Sequence, residues 1–164
     1  MRKFIQNKLK EQKGLTLIEL LAVIVILAII AAIAVPAIGN IIENSRYSAV
    51  KADAVNILTA ANIYYTENPE GYLGTDGKTP TVLTVDILKS EGFIETEGEI
   101  PGAATIQENT FAKALGLTTA TGAITFSGSK KVKFTGATIK DINTNNKKGS
   151  EVNTTEEVIA GPTS

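Results

Sequence analysis

Cysteine and histidine are both absent from this chain of 164 residues. Without cysteine there is no disulfide framework and no thiolate to act as nucleophile or metal ligand. Without histidine, the usual zinc sites and the Ser-His and Cys-His nucleophile arrangements are excluded, together with the most common general base near neutral pH. Enzymes built on carboxylates or lysine remain possible.

Net charge is also low, at −1, but it is unevenly distributed. Residues 1–14 carry five basic side chains and one acidic one, a net of +4, which leaves −5 for the remainder. A basic leader beside an apolar run is an orientation signal, because positively charged segments stay on the cytoplasmic side. The acidic remainder argues against a nucleic-acid role for the body of the protein.

The run 15–42 contains only Thr16, Glu19 and Asn40 as polar or charged residues. It predicts an apolar helix of about 28 residues, about 42 Å long at 1.5 Å per residue, which is enough to cross a bilayer. Pro36 and Gly39 lie in its second half, where a kink is expected rather than a stop. The isolated carboxylate of Glu19 is costly in such a segment and requires a compensating partner.

From residue 43 the pattern becomes amphipathic. Apolar side chains recur at spacings of three and four, which predicts one helix face packed on a core. The stripe consists of Tyr47, Val50, Ala54, Ile57, Ala61 and Tyr64. We expect one helix from residue 16 to about residue 66, ended by Asn68-Pro69. Tyr64 and Tyr65 cannot both face inward at the same depth, so one of them is expected to cover a subunit boundary.

Residues 67–82 are rich in glycine, proline and turn formers, which predicts a loop, with Asp76 in a turn rather than a calcium site. A short helix is predicted at 84–93, because Thr84 suits the N-cap and Gly92 follows the expected C-terminus.

The remaining segments predict a second short helix and a small sheet. The helix is expected at 108–117, stopped by Gly116. Three β-prone runs within 122–142 predict an antiparallel meander. The polar C-terminal stretch is expected to be loop with one short edge strand at 156–161.

Residues 13–21, KGLTLIELL, followed by an aliphatic run and Pro36, resemble the leader and helix of type IV prepilins and pseudopilins. The resemblance implies cleavage by a prepilin peptidase between Gly14 and Leu15 and methylation of the new amine on Leu15. With that cut, Glu19 matches the family's glutamate at the fifth mature position and Pro36 its proline at the twenty-second. A cleaved secretory signal, a plain membrane anchor and a merely interfacial Glu19 are the alternatives.

The resemblance implies a role for Glu19 as an assembly and register residue. In the family's filament, the glutamate of one subunit neutralises the N-terminal amine of its neighbour. An amine and a carboxylate four residues apart also share one helix side, and opposite charges attract strongly in low dielectric.

The implied architecture is the α+β type IV pilin fold, a long N-terminal helix with a protruding transmembrane half, an amphipathic packed half and a small C-terminal antiparallel β-sheet. The expected segments are a cleaved leader at 1–14, a transmembrane and filament-core helix at 15–42, an amphipathic helix half at 43–66 and a globular head at 67–164.

The implied function is a structural one, as a pilin of a surface type IV pilus for adhesion, motility or biofilm, of the Gram-positive type. We therefore expect no catalytic residue, no metal site and no cofactor. The alternative is a pseudopilin of a competence (DNA uptake) or type II secretion system. Implied partners are identical subunits, the prepilin peptidase, the assembly ATPase, the platform protein and membrane lipid. The precursor is expected to span the cytoplasmic membrane once, with its N-terminus cytoplasmic and its head outside, before joining an extracellular pilus.

The body also contains a group of lysines. It consists of Lys130, Lys131, Lys133, Lys140, Lys147 and Lys148. We interpret this group as a solvated hairpin face that discourages edge pairing, with DNA or another anionic surface as the alternative. Asn153-Thr154-Thr155 matches a glycosylation sequon.

Overall fold

The computed structural model describes residues 2–71, 82–109, 114–119, 122–152 and 156–162, with side chains from Leu17 onward. The chain divides into two compact units, Met1–Ile41 and Ile42–Ser164. The predicted turn at Asp76 and the sequon at 153–155 lie outside the described residues.

The helix α1 extends over Arg2–Glu67, which is 66 residues. The predicted helix from residue 16 to about 66 is confirmed, and α1 also includes most of the leader. The helix continues through Pro36 and Gly39, so neither residue stops it. A kink at these two residues stays a prediction. At the C-terminal end, the side-chain amide of Asn68 donates to the Tyr64 carbonyl over 3.1 Å, which caps the last turn.

The amphipathic half of α1 packs on the core of the second unit as predicted. All six residues of the stripe from Tyr47 to Tyr64 are buried, and Leu58 and Ala60 join them. Tyr64 is buried whereas Tyr65 is half-buried with its ring edge-on to that of Tyr64, so the prediction that they differ in depth is confirmed.

A first sheet follows α1 and contains the strands β1 (Leu83–Thr84), β2 (Thr105–Asn109) and β3 (Ala114–Thr118), paired antiparallel in that order. The short helix α2 (Val85–Ser90) follows β1 directly and lies in the connection between β1 and β2. The Thr84 side chain accepts from the backbone N–H of Ile87, so the predicted N-cap is confirmed. Leu88 and Val85 are buried, whereas Ile87 is only partly buried.

The second short helix predicted at 108–117 is wrong. Its described residues belong to β2 and β3, which pair with Ile106 opposite Leu117. Both of these side chains are fully buried. One face of each strand therefore points into the core, as expected when successive side chains alternate between the two faces of a sheet. Gly116 does not end a helix, because it lies within β3 where a Cβ would come 2.6 Å from the carbonyl oxygen of Gly136.

A second sheet contains β4 (Ile124–Ser127), β5 (Lys130–Thr135) and β6 (Glu156–Ala160), in the order β4-β5-β6. The first two of the three predicted runs are confirmed as the antiparallel hairpin β4-β5. The predicted edge strand is confirmed as β6, although it pairs parallel to β5.

The third predicted run is a helix rather than a strand. It forms α3 (Ile139–Thr144), and a capping box between Thr138 and Asp141 starts it. This helix provides the crossover that parallel pairing of β5 and β6 requires. A 3-10 helix, η1 (Gly149–Glu151), precedes β6.

The two sheets meet at β3 and the end of β5. The N–H of Leu117 donates to the Ala137 carbonyl over 2.9 Å, and the N–H of Ala137 donates back over 3.1 Å. The sheets therefore share one hydrophobic core with the amphipathic half of α1. A long N-terminal helix followed by a small β region is the α+β architecture of the type IV pilin fold, as the resemblance implied.

Candidate functional site

The first unit presents an apolar surface along α1. Large apolar side chains from Leu17, which is 68% exposed, to Ile41, at 65%, are left uncovered by the described chain. Among the described residues, one helix is long and apolar enough to cross a membrane, and this segment is its apolar part. Such a surface is stable only against lipid or against other apolar protein. The segment is therefore consistent with single-pass membrane anchoring.

Glu19 places a carboxylate within this apolar surface. Its side chain is exposed, and it makes no hydrogen bond or ion pair with any other residue that the structure describes. Ala22 and Val23, one turn further along the helix, are exposed and apolar. A partner for the carboxylate in low dielectric must therefore come from outside the described residues.

Gly14 and Leu15 lie within α1, five and four residues before Glu19. The helix thus places the Leu15 position and Glu19 on one side, as i and i+4. Cleavage at Gly14, methylation of Leu15 and the pairing of its amine with Glu19 stay predictions.

Pro36 and Gly39 share the second half of the apolar segment. Pro36 has no N–H, so the Ala32 carbonyl loses its donor within the helix. A Cβ added at Gly39 would meet nothing within 4 Å, so packing among the described residues does not require a glycine there. Both residues therefore weaken the helix locally, and among the described residues Gly39 gains no packing contact in return.

A polar cluster at the start of the amphipathic half was not predicted from the sequence. Lys130 on β5 donates from Nζ to Glu43 Oε2 over 2.8 Å and to the Gly149 carbonyl over 3.2 Å. The N–H of Ser150 donates to Asn44 Oδ1 over 2.8 Å. Glu43 is the first charged residue after the apolar run, and this position was the only sequence feature that could have pointed to the cluster. The cluster fastens β5 and η1 to α1.

The predicted lysine group is divided by the structure. Lys130 is paired with Glu43, and Lys147 donates to Glu157 over 2.8 Å. Lys131 and Lys133 lie on the outer face of β5, opposite to the buried Val132 and Phe134. These lysines therefore do not form one basic surface. Two of them, Lys130 and Lys147, form ion pairs within the second unit.

A second polar cluster joins α1 to the residues after α3. The Tyr47 hydroxyl donates to Asn145 Oδ1 over 3.2 Å, and Lys51 Nζ donates to the Asn145 backbone carbonyl. Burial, followed by the charge of Glu157, raises the pKa of Tyr47 to about 12. Burial also lowers the pKa of Lys51. Sequence reasoning missed this cluster, because its members are far apart in the chain.

Residues 9–35 match the family model described as the prokaryotic N-terminal methylation motif. The match covers the end of the leader, the expected cleavage point and most of the apolar segment. It supports a type IV pilin-like prepilin with a class III signal, a structural type of protein that is processed by a prepilin peptidase and assembled with other subunits. No curated protein matches the chain. No solved structure matches it either.

Proposed function

We propose that the chain is a structural subunit of a type IV pilus, cut between Gly14 and Leu15, methylated on Leu15 and assembled into a helical surface filament. The observation that carries the proposal is the methylation motif at 9–35 leading directly into an exposed apolar helix surface. The motif indicates a precursor, and the surface indicates what the processed helix must bury.

The apolar surface explains how one segment serves both a membrane and a filament. In the precursor, its side chains are solvated by lipid, and in the filament they pack against the same segment of other subunits. Both surroundings have low dielectric, so transfer between them requires no large change in the burial of apolar area. Assembly and disassembly can therefore both proceed when driven by partner proteins.

Glu19 then has a specific role in assembly. Cleavage before Leu15 creates an α-ammonium group at the beginning of the apolar segment. In the filament, the Glu19 carboxylate of one subunit pairs with the Leu15 amine of a neighbour, which fixes their axial register. An unpaired carboxylate would remain in low dielectric in any other register, and that is strongly unfavourable.

The proposed partners follow from this pathway. They are identical subunits, the prepilin peptidase, a cytoplasmic assembly ATPase, a platform protein in the membrane, and lipid before assembly. We place the N-terminus of the precursor in the cytoplasm, where the basic leader holds it, and residues 67–164 outside the membrane.

The competing function is that of a pseudopilin in a competence or secretion apparatus. Electron microscopy of cells with and without the gene separates the two. Long surface filaments that disappear with the gene support the pilus, whereas a loss of DNA uptake or secretion without such filaments would favour the pseudopilin.

Processing is tested by mass analysis of protein sheared from the cell surface. The N-terminal peptide is expected to begin at Leu15 and to carry one methyl group. Filaments that retain residues 1–14 would contradict the proposed cut.

The role of Glu19 is tested by Glu19→Ala in a strain that makes only this subunit. We expect normal membrane insertion and cleavage but few or no filaments. Glu67→Ala is the matched control, since it removes an exposed carboxylate from the same helix outside the apolar segment. Wild-type filament yield from the Glu19→Ala strain would refute the register role while leaving the processing result untouched.

A further inference from the structure

The second polar cluster, formed by Tyr47, Lys51, Asn145 and Glu157, brings an amine close to a carboxamide. Lys51 Nζ lies 2.5 Å from the Asn145 backbone oxygen. The Asn145 side chain is held at both of its ends, because Oδ1 accepts from the Tyr47 hydroxyl and Nδ2 donates to Glu157 Oε1 over 3.5 Å. All four residues belong to the second unit.

The groups around the Asn145 carboxamide match the needs of acyl transfer. Tyr47 is buried, and its ring packs on Phe126 at 5.1 Å between centroids, so its hydroxyl is a fixed donor to the oxygen on which negative charge would develop. Glu157 is 8% exposed and adjoins the nitrogen that would leave. A carboxyl at that position can move a proton onto a leaving amine.

Lys51 is the nucleophile in this step. Its Nζ contacts the backbone oxygen of the same residue whose side chain would react. The reaction requires the terminal methylenes of Lys51 to rotate so that Nζ leaves this oxygen and approaches Asn145 Cγ. A productive approach needs a separation of about 3 to 3.5 Å. Burial lowers the pKa of Lys51, which raises the fraction of neutral amine, and only that form is nucleophilic.

We propose that Lys51 and Asn145 form an intramolecular isopeptide bond, with Tyr47 polarising the carboxamide and Glu157 transferring the proton. In this step the Lys51 nitrogen bonds to Asn145 Cγ, and the bond from Cγ to Nδ2 breaks. One molecule of ammonia is released, and nothing is oxidised or reduced.

The protons balance without a co-reactant. Lys51 loses one proton to solvent before the attack, and the released ammonia takes one up afterwards. Between these events, Glu157 accepts a proton from the attacking nitrogen and gives it to the departing one. Lys147 pairs with Glu157 Oε2 over 2.8 Å, while Glu157 Oε1 faces the Asn145 carboxamide nitrogen.

The bond would join two segments that are 94 residues apart in sequence. It would tie α1 covalently to the segment that leads into β6, so that tension along the helix could not separate them without breaking a covalent bond. The proposal does not depend on filament assembly, because it concerns the second unit alone.

Tryptic mapping of the full chain in detergent micelles tests the bond directly. Trypsin should leave a branched peptide of residues 47–78 joined to 141–147, uncut at Lys51 and lighter than the two peptides together by one ammonia. Fragmentation should place the branch at Asn145 rather than at Asn143 or Asn146. Complete recovery of 52–78 and 141–147 as separate peptides would overturn the proposal.

Variants assign the roles. Lys51→Arg keeps the positive charge but removes the nucleophile, so the branched peptide should vanish, whereas Lys133→Arg on the outer face of β5 should retain it. Tyr47→Phe and Glu157→Gln should slow its accumulation in newly made chains, by about 100-fold or more for the loss of the oxygen's donor. A branched peptide from Lys51→Arg would overturn the assignment of Lys51, and wild-type rates in the other two would overturn their roles.

Discussion

Lys130 on β5 and Glu43 on α1 form an ion pair, 2.8 Å from Nζ to Oε2, across 87 residues of sequence. Both side chains are largely covered, with exposures of 24% and 26%. The pair lies where the helix changes from exposed apolar side chains to a buried stripe. It therefore fixes the hairpin β4-β5 on the first turns of the amphipathic half.

This ion pair predicts an acid-sensitive contribution to stability. The hydrogen bond and then the charge of Lys130 lower the pKa of Glu43 below its ordinary value of 4.5, although burial opposes the shift. Because the folded-state pKa is lowered, the stabilisation is present above pH 4.5 and is lost as the pH falls through the folded-state value. Lys130→Met should lower the urea midpoint at neutral pH and reduce its decline on acidification. Lys133→Met is the control, and an equal acid decline in both variants would contradict the prediction.

Replacing Gly116 by alanine is predicted to destabilise the second unit. Its added Cβ would lie 2.6 Å from the carbonyl oxygen and 2.8 Å from the carbonyl carbon of Gly136, which are backbone atoms that cannot rotate away. We expect Gly116→Ala to lower the free energy of unfolding by about 1 to 3 kcal/mol. Gly39→Ala, whose Cβ meets nothing within 4 Å, should leave the unfolding of the second unit unchanged. Equal urea midpoints for the two variants would argue against the close approach of the sheets.

The capping box of α3 is predicted to contribute to stability. Asp141 Oδ2 accepts from the Thr138 N–H over 3.0 Å and from its hydroxyl over 2.6 Å. Asp141→Ala should lower the free energy of unfolding by about 1 kcal/mol, because the first turn loses its cap. Asn143→Ala, at an exposed position of the same helix, should change it by less than about 0.5 kcal/mol. Urea unfolding followed by circular dichroism measures both, and a smaller loss for Asp141→Ala than for the control would contradict the assignment.

The two faces of the second sheet are predicted to respond differently to truncation. Phe134 on β5 is fully buried, so Phe134→Ala should lower the free energy of unfolding by about 3 to 5 kcal/mol. Val158 on β6 is 49% exposed on the outer face, and Val158→Ala should cost less than about 1 kcal/mol. Similar losses at both positions would mean that the outer face is covered in solution.

Two missed elements of the fold have one cause. The helix α3 and the parallel pairing of β5 with β6 are linked, since a parallel pair needs a crossover between its strands. The apolar and β-branched residues near Ile139 fit a strand locally, so local propensity favoured a meander. The Thr138 and Asp141 spacing was the signal that predicted a helix start instead. Likewise, the strand pairing of 108–117 depends on Ile106 and on Gly136, which lie outside that segment.

Sequence alone determined the helix from residue 16 to about residue 66, its buried stripe, the α2 cap and the motif at 13–21, because each depends on neighbours within one or two helical turns. Tertiary structure alone decided the pairing of the strands and the two polar clusters. These depend on contacts such as Glu43 with Lys130 and Lys51 with Asn145, whose partners lie 87 and 94 residues apart. No local spacing encodes such a contact, since folding brings the two groups together only after the core has formed.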